Sequence, residues 1–229
     1  MDLTTAMGAL EAAGTEQNRT VYPRHGVRPP MFGVSYAELS KLQKRIGVDH
    51  ELARELWETG NHDARILATK IADPGAVTVR LADAWIRDCD NYVLMEAVGA
   101  LVARSPVAGS RAAAWRDRSG EWAASAGWVV TARLALEPGA MTDAEAVRLV
   151  GRIQREIHAA PNRVRHEMNG ALIAFGLRGG RVRDRAMAAA ERIGTVRVDH
   201  GQTSCVTPDA VAYIRKTEAR ARAKQTAAR

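Results

Sequence analysis

The feature that most constrains the fold of this chain is the regular return of helix-start signals before apolar residues at helical spacing. Ser35–Glu38 and Thr142–Glu145 are capping boxes, in which a hydroxyl accepts from the third helical N–H and a glutamate reaches back. Asp49 and Asn61 are N-cap residues, and Thr207-Pro208 places proline at a first helical position. The sequence therefore predicts short amphipathic helices joined by short polar breaks.

The predicted helices cover most of the chain. They lie at about 35–46, 49–59, 61–73, 76–87, 91–104, 107–117, 119–136, 142–159, 162–178, 182–193 and from 207 into the tail, about eleven or twelve in all. The main irregular segment is 14–34, and 195–201 is a loop that could include a short extended piece. With 42 Ala, 28 Arg and only 11 aromatic residues, the composition argues against a β-sandwich or barrel.

Helix pairs recur roughly every 25–40 residues, which is typical of degenerate HEAT-type repeats. We predict an all-α fold, a superhelix of HEAT-like repeats forming a single domain over residues 1–229. A compact helical domain without repeats is the alternative. In a curved solenoid, basic residues along the concave face would form a cradle for a nucleic-acid duplex.

Charge is spread unevenly along the chain. Residues 1–100 hold 11 Lys and Arg against 14 Asp and Glu, a balance of −3, whereas residues 101–229 hold 22 against 12, a balance of +10. A basic half indicates a polyanionic partner, most often nucleic acid. A high-GC genome is the alternative explanation for the number of arginines, but it accounts less well for the asymmetry.

The two cysteines cannot make a disulfide framework, which favours a reducing compartment. The apolar run Ala171–Leu177 is much shorter than the ~18 residues that a membrane span needs, and Met1–Gly14 has no basic leader region. We therefore expect a cytoplasmic protein with no membrane partner.

Several motifs resemble the DNA alkylation repair family, the AlkD-like HEAT-repeat glycosylases. The first is Leu52–Gly60 followed by His62–Ala68, a helix ending in Leu-Trp, a break, an acidic residue, Arg and Leu-Ala. Asn91–Val102 is similar to the segment that carries the family's catalytic acid, and Trp122–Trp128 to the next motif. The resemblance covers about residues 20–190. It implies excision of cationic alkylpurines such as 3-methyladenine and 7-methylguanine from duplex DNA, without base flipping and without a metal or organic cofactor.

The resemblance also assigns site residues. The family's aromatic residue and its aspartate four positions later align with Tyr92 and Glu96, which share one helix face and are the predicted catalytic residues. The family's Arg, three positions after a Trp, aligns with Thr131 when Trp128 takes the Trp position. Arg133 could replace that cation only if the alignment shifts.

The residues themselves leave other roles open. Glu96 could be a solvated or ion-paired helix residue, and Tyr92 a core or interface aromatic. Asp88 and Asp90 are nearby acids that could serve instead of Glu96 or cap the helix beginning near Asn91.

The C-terminal half supplies the predicted phosphate contacts. Residues 152–192 hold nine Arg against four acids, and 215–229 adds six basic residues against Glu218. The predicted DNA-binding residues are Thr131, Arg133, Arg163, Arg165, Arg178, Arg181, Arg183 and Arg185. Each single arginine could instead belong to a solvated charged face.

The segment Asp199–Cys205 brings an acid, an imidazole and a thiol within seven residues. Two chemical hypotheses fit these residues. One is a Cys nucleophile with a His base, and the other is a metal site that includes Cys89. The spacing contains no CxxC or HxxxH, so we predict no metal site and a structured loop before a capped helix.

These observations support three hypotheses. The first is an alkylation repair enzyme that binds duplex DNA as a monomer and uses Glu96 to stabilise the sugar cation, with Tyr92 packing on the backbone. The second is a non-catalytic DNA-binding HEAT-repeat protein, and the third is a protein-interaction scaffold.

Overall fold

The computed structural model describes the backbone of residues 1–227 and the side chains of all of these except 225 and 227. The last two residues of the predicted basic tail, 228 and 229, lie outside the described residues. Within 1–227 there is no β-strand, only an isolated bridge between Gly14 and Val34, so the all-α prediction is confirmed. No helix in this range is both long and apolar enough to cross a membrane.

Thirteen α-helices lie in the described residues. They are α1 (Leu3–Ala13), α2 (Glu16–Val21), α3 (Tyr36–Ile46), α4 (His50–Glu58), α5 (His62–Ile71), α6 (Val79–Arg87), α7 (Tyr92–Val102), α8 (Ala108–Arg116), α9 (Glu121–Leu136), α10 (Asp143–Glu156), α11 (Asn162–Gly176), α12 (Gly180–Ile193) and α13 (Ala210–Ala227).

Four of the predicted caps form as expected. The side chains of Ser35, Asp49, Asn61 and Thr142 each accept a backbone N–H at the start of their helix. The prediction that Pro208 occupies the first position of the last helix is wrong, because α13 begins at Ala210, where the Asp209 side chain accepts the Ala212 N–H at 2.7 Å. The N-terminal region differs, because α1 and α2 precede the first predicted helix and a 3₁₀ turn at Tyr22–His25 follows them. The segment 14–34 is therefore partly helical, and segment 194–209 has no helix or strand.

The chain divides into two compact units. Unit 1 is Met1–Arg111 with Gly201–Thr203, and unit 2 is Ala112–His200 with the residues from Ser204 onward. That residues 1–229 form a single domain remains a prediction.

The core of unit 1 explains the motif around Trp57. The Trp57 and Trp85 rings stack with centroids 4.2 Å apart and 3° between their planes, and the Trp57 indole N–H donates to Asp88 at 2.8 Å. Arg65 lies over the Trp57 ring at 5.1 Å and donates to the Trp57 carbonyl at 3.1 Å. Asp63 is buried, and its carboxylate accepts the backbone N–H groups of Phe32, Gly33 and Val34 at 2.6–2.9 Å. These contacts therefore stabilise the fold of unit 1.

In unit 2, α9 packs along α11 and α10 packs against α12. Glu121, at the start of α9, accepts the backbone N–H of Arg163 at 2.7 Å, so the first turns of α9 and α11 lie side by side. The segment 194–209 is fastened to α11, because Asn162 exchanges two hydrogen bonds with the Asp199 backbone and Asn169 donates to the Pro208 carbonyl at 2.9 Å.

Candidate functional site

The two predicted catalytic residues lie on the same face of α7 in unit 1. Asn91 begins this helix by accepting the Leu94 N–H at 3.0 Å, which fixes the register of the first turn. Tyr92 and Glu96 follow at i, i+4 spacing, and both side chains are half-buried. The structure thus places an aromatic ring and a carboxylate together, as the spacing predicts.

The Tyr92 hydroxyl is held by a residue that the sequence analysis missed. It shares a short hydrogen bond with Nδ1 of His25, and the two ring centroids are 6.0 Å apart. His25 ends the 3₁₀ turn that begins at Tyr22, and the Tyr22 hydroxyl donates to the Val34 carbonyl. His25 lies 67 residues before Tyr92, so no local pattern connects the two.

Tyr36 lies near Glu96 and is itself in contact with Lys70. Tyr36 is 51% exposed, and the Lys70 ammonium lies 5.5 Å from its ring centroid. Burial of part of the side chain, followed by the nearby Tyr22 phenol and Glu96 carboxylate, raises the pKa of Tyr36 to about 12. The phenol of Tyr36 therefore stays protonated at neutral pH, and the ring remains available for stacking.

The other acids near α7 have structural partners. Asp88 lies at the end of α6 and accepts from Trp57, and Asp90 accepts from the Asn91 amide at 2.7 Å. The N-cap of α7 is Asn91 itself, so neither aspartate caps this helix as the sequence suggested.

Thr131 requires a correction, because its side chain is fully buried and cannot present a contact to DNA. Its hydroxyl donates to the Gly127 carbonyl at 2.6 Å and accepts from the Arg116 guanidinium. Arg116 lies 5.5 Å above the centroid of the Trp128 ring, which is also fully buried. A guanidinium thus lies beside Thr131, but it comes from α8.

Gly127 makes this arrangement sterically possible. A Cβ atom there would lie 2.5 Å from the Arg116 backbone nitrogen, closer than any real Cβ contact. Burial, together with the neighbouring Arg152, lowers the pKa of Arg116. Arg116 is therefore a packing residue between α8 and α9.

The predicted DNA-binding arginines fall into two groups. Arg165, Arg178 and Arg183 are engaged inside unit 2. Arg165 donates to the Arg197 and Ala160 carbonyls. Arg178 donates to the Ala135 and Met141 carbonyls and to Asp143. Arg183 forms a bidentate pair with Glu218, which raises its pKa. These three side chains hold the fold together.

Arg133, Arg181 and Arg185 form the second group. All three are exposed, and within residues 1–227 none has a hydrogen-bonded or ion-pair partner. Arg163 is half-buried at the start of α11, where its backbone N–H meets Glu121. Arg133, Arg181 and Arg185 can therefore form ion pairs with an external anion.

The loop after α12 is a structural element. His200 bonds to the Thr207 hydroxyl at 2.8 Å and packs edge-on against His166, with ring centroids 5.3 Å apart. Burial, then the charges of His200 and Arg163, lowers the pKa of His166 to about 4. Cys89 is buried, and burial raises the pKa of its thiol, whereas Cys205 is exposed. Across the described residues no group of three or more His, Cys, Asp or Glu side chains could hold a metal ion. The contacts of His200 with Thr207 and His166 thus hold this loop against α11.

A family model described as DNA alkylation repair enzyme matches residues 6–214. The chain belongs to this family. An uncharacterized protein of Listeria innocua is 28% identical over 225 residues, covering 95% of this chain and 96% of the relative. An uncharacterized protein of Listeria monocytogenes is 27% identical over 226 residues, with the same coverage.

One solved protein structure has the same fold as the present chain. It is described as belonging to a new family of proteins related to the HEAT-like repeat DNA glycosylases, with affinity for branched DNA structures. The TM-score is 0.88, the identity is 30%, and the match covers 97% of this chain and 96% of the other. The HEAT-like fold predicted from the sequence is thereby confirmed.

Proposed function

We propose that this chain binds DNA and prefers branched duplexes to linear ones. The observation that carries the proposal is the division of arginines in unit 2. Arg178 and Arg183 take up carboxylates, whereas Arg133, Arg181 and Arg185 stay exposed without a partner in residues 1–227. Unpaired exposed guanidinium groups recognise phosphate oxygens with paired N–H donors.

Family membership and the related solved structure support the choice of ligand. The family is one of DNA alkylation repair enzymes, and the solved relative is described as having affinity for branched DNA. Phosphate contacts of this type are independent of base sequence, so shape decides which DNA is preferred. In unit 1, Tyr36 supplies an exposed aromatic ring near Glu96, suited to stacking on a base or sugar.

Fluorescence anisotropy with a four-way junction and a linear duplex of the same length tests this proposal. We expect the junction to bind about tenfold or more tightly, because several arms engage one protein. Equal affinity would overturn the preference for branched DNA. No binding to either ligand at about 100 mM salt would overturn DNA binding itself.

A second candidate function is excision of cationic alkylpurines, and the placement of Glu96 favours it. In this reaction the C1′–N bond breaks heterolytically, and its electron pair leaves with the purine, which thereby becomes neutral. The oxocarbenium ion left on the deoxyribose is stabilised by the Glu96 carboxylate and captured by water, whose proton is released to solvent. Tyr92, held by His25, would pack beside the sugar.

Excision is tested by incubating methylated duplex DNA with the wild-type protein and with Glu96→Gln, then measuring free 7-methylguanine and 3-methyladenine. We expect release by the wild type and a loss of about a hundredfold or more in the variant, because the carboxylate opposes the developing charge. Release that is equal in both proteins would exclude Glu96 from the reaction. No release above background by the wild type would exclude excision and leave the DNA-binding proposal standing.

A further inference from the structure

We infer that the exposed faces of α10 and α12 together bind a second duplex arm of a branched DNA. This inference rests on the DNA-binding function proposed above and adds the surface that would recognise branching. We call this surface the α10–α12 face. It consists of Arg148, Arg155, Arg181, Arg185 and Arg192.

Three of these arginines form a single stripe on α12. At 100° per residue, Arg185 and Arg192 lie within about 40° of Arg181 around the helix axis, and the stripe is about 16 Å long. All three side chains are exposed. Arg183 lies about 160° from Arg181 around the axis, on the side where it bonds to Glu218 of α13. The stripe therefore faces solvent and not the neighbouring helix.

α10 contributes the other two arginines. Arg148 and Arg155 are seven residues apart, so they lie on one side of the helix about 10 Å from each other. Both are exposed, whereas Leu149, Val150 and Ile153 of the same helix are buried. α10 packs against α12, and packed helices lie about 8–10 Å apart, so the proposal places the two sets in one patch.

The helices α10 and α12 carry five carboxylates against the five arginines of the face, and four of the carboxylates are paired elsewhere. The fifth, Glu145, lies one turn before Arg148, so the patch keeps a net positive charge. Asp143 pairs with Arg178 at 2.9 Å, Glu156 with Arg152 at 2.8 Å, Asp184 with Arg183 at 3.2 Å and Glu191 with Arg215 at 3.5 Å. These four carboxylates are held by arginines outside the α10–α12 face. Within residues 1–227, the five arginines of the face have no ion-pair or hydrogen-bond partner, so their charges are directed at solvent.

The chemistry of the patch fits a duplex backbone better than unpaired bases. Neither α10 nor α12 contains an aromatic residue, so the face offers no stacking platform for unpaired bases. Duplex DNA carries about one negative charge per 1.7 Å of axis. Along the stripe of about 16 Å on α12, a duplex therefore presents enough phosphates for each of the five guanidinium groups. Recognition is therefore through phosphates and independent of sequence.

The test uses the full chain with two variants that each remove five positive charges. The first carries R148Q, R155Q, R181Q, R185Q and R192Q. The matched control carries K44Q, R45Q, R80Q, R87Q and R104Q, all exposed residues of unit 1. Circular dichroism melts establish that each variant folds. If the first does not, R181Q with R185Q takes its place, against R80Q with R87Q.

Affinity is then measured for a four-way junction and for a matched linear duplex, as a function of salt. We expect the first variant to lose about tenfold to a hundredfold in junction affinity, with a salt slope shallower by about 4, and to lose less than about threefold on the linear duplex. We expect the control to lose less than about threefold on both ligands.

Three outcomes would overturn the inference. The control could lose as much junction affinity as the first variant, which would show an effect of net charge. The first variant could lose equally on both ligands, which would assign the face to the primary duplex contact. Analytical ultracentrifugation could show two junctions bound per protein, which would mean that the face serves a separate DNA molecule. A wild type that binds neither ligand would refute the proposed function itself, a result distinct from these three.

Discussion

Unit 1 gathers aromatic and acidic side chains at the start of α7, whereas unit 2 leaves arginines uncompensated on the faces of its helices. In unit 1, Tyr92 is held by His25, and Tyr36 lies near Glu96. In unit 2, Arg181 and Arg185 are exposed and Arg178 and Arg183 are engaged. The difference teaches that positive charge along a sequence does not by itself identify phosphate contacts, because half of such residues can be structural.

The largest expected effect concerns the framework of unit 1. Asp63→Ala removes the acceptor of three backbone N–H groups in a buried site. We expect a loss of about 3 kcal/mol or more in the free energy of unfolding, measured with urea, because buried donors are left unsatisfied. Asp49→Ala, which removes one N-cap, should cost about 1 kcal/mol. Equal losses in the two variants would contradict the role given to Asp63.

The next effect tests the close packing of α8 on α9 in unit 2. Gly127→Ala places a methyl group 2.5 Å from the Arg116 nitrogen, so we expect a loss of about 2–3 kcal/mol in the free energy of unfolding. Gly170→Ala is the matched control, since no atom lies within 4 Å of its added Cβ in α11. It should stabilise the protein by about 0.5–1 kcal/mol. Destabilisation by both changes would contradict the packing argument.

The division of arginines is tested by a matched pair. Arg178→Gln should lower the free energy of unfolding by about 2 kcal/mol, because three acceptors at 2.9–3.0 Å lose their donor. Arg181→Gln should change stability by less than about 0.5 kcal/mol and lower the affinity for a four-way junction about twofold to fivefold. Urea titrations and anisotropy measure both quantities. Reversed effects would break the distinction between engaged and exposed arginines.

The smallest effect is a pH dependence in unit 2. The pKa of His166 in the folded state, about 4, lies below its ordinary value of 6.5. As the pH falls from 6.5 toward 4 the unfolded chain binds more protons than the folded chain, so stability is lost in this window. The free energies of unfolding from urea titrations at pH 7 and pH 5 should differ by about 1–2 kcal/mol in the wild type. The difference should shrink in His166→Phe, and an unchanged difference would assign it to other groups.

The sequence predicted the parts of this molecule that depend on local patterns. Helix caps at Ser35, Asp49, Asn61 and Thr142 involve residues a few positions apart, and they form as expected. The shared face of Tyr92 and Glu96 likewise follows from helical periodicity.

The remaining features depend on contacts between residues far apart in the chain. His25 reaches Tyr92 across 67 residues, and Arg183 reaches Glu218 across 35. Arg181 and Arg183 are the same residue type two positions apart, so the sequence alone does not separate their roles. The face of α12 on which each side chain lies decides that Arg181 is exposed and that Arg183 is engaged. Thr131 aligned with a DNA-contacting position in the family pattern, yet the packing of Arg116 against Trp128 buries it.

The most direct measurement of the central claim is the salt dependence of wild-type binding to a four-way junction. We predict that the logarithm of the association constant falls linearly with the logarithm of salt concentration, with a slope of about −4 or steeper, because several phosphates are neutralised by exposed arginines. A slope near zero, or no junction binding at low salt, would contradict the claim that this chain recognises DNA through its uncompensated arginines.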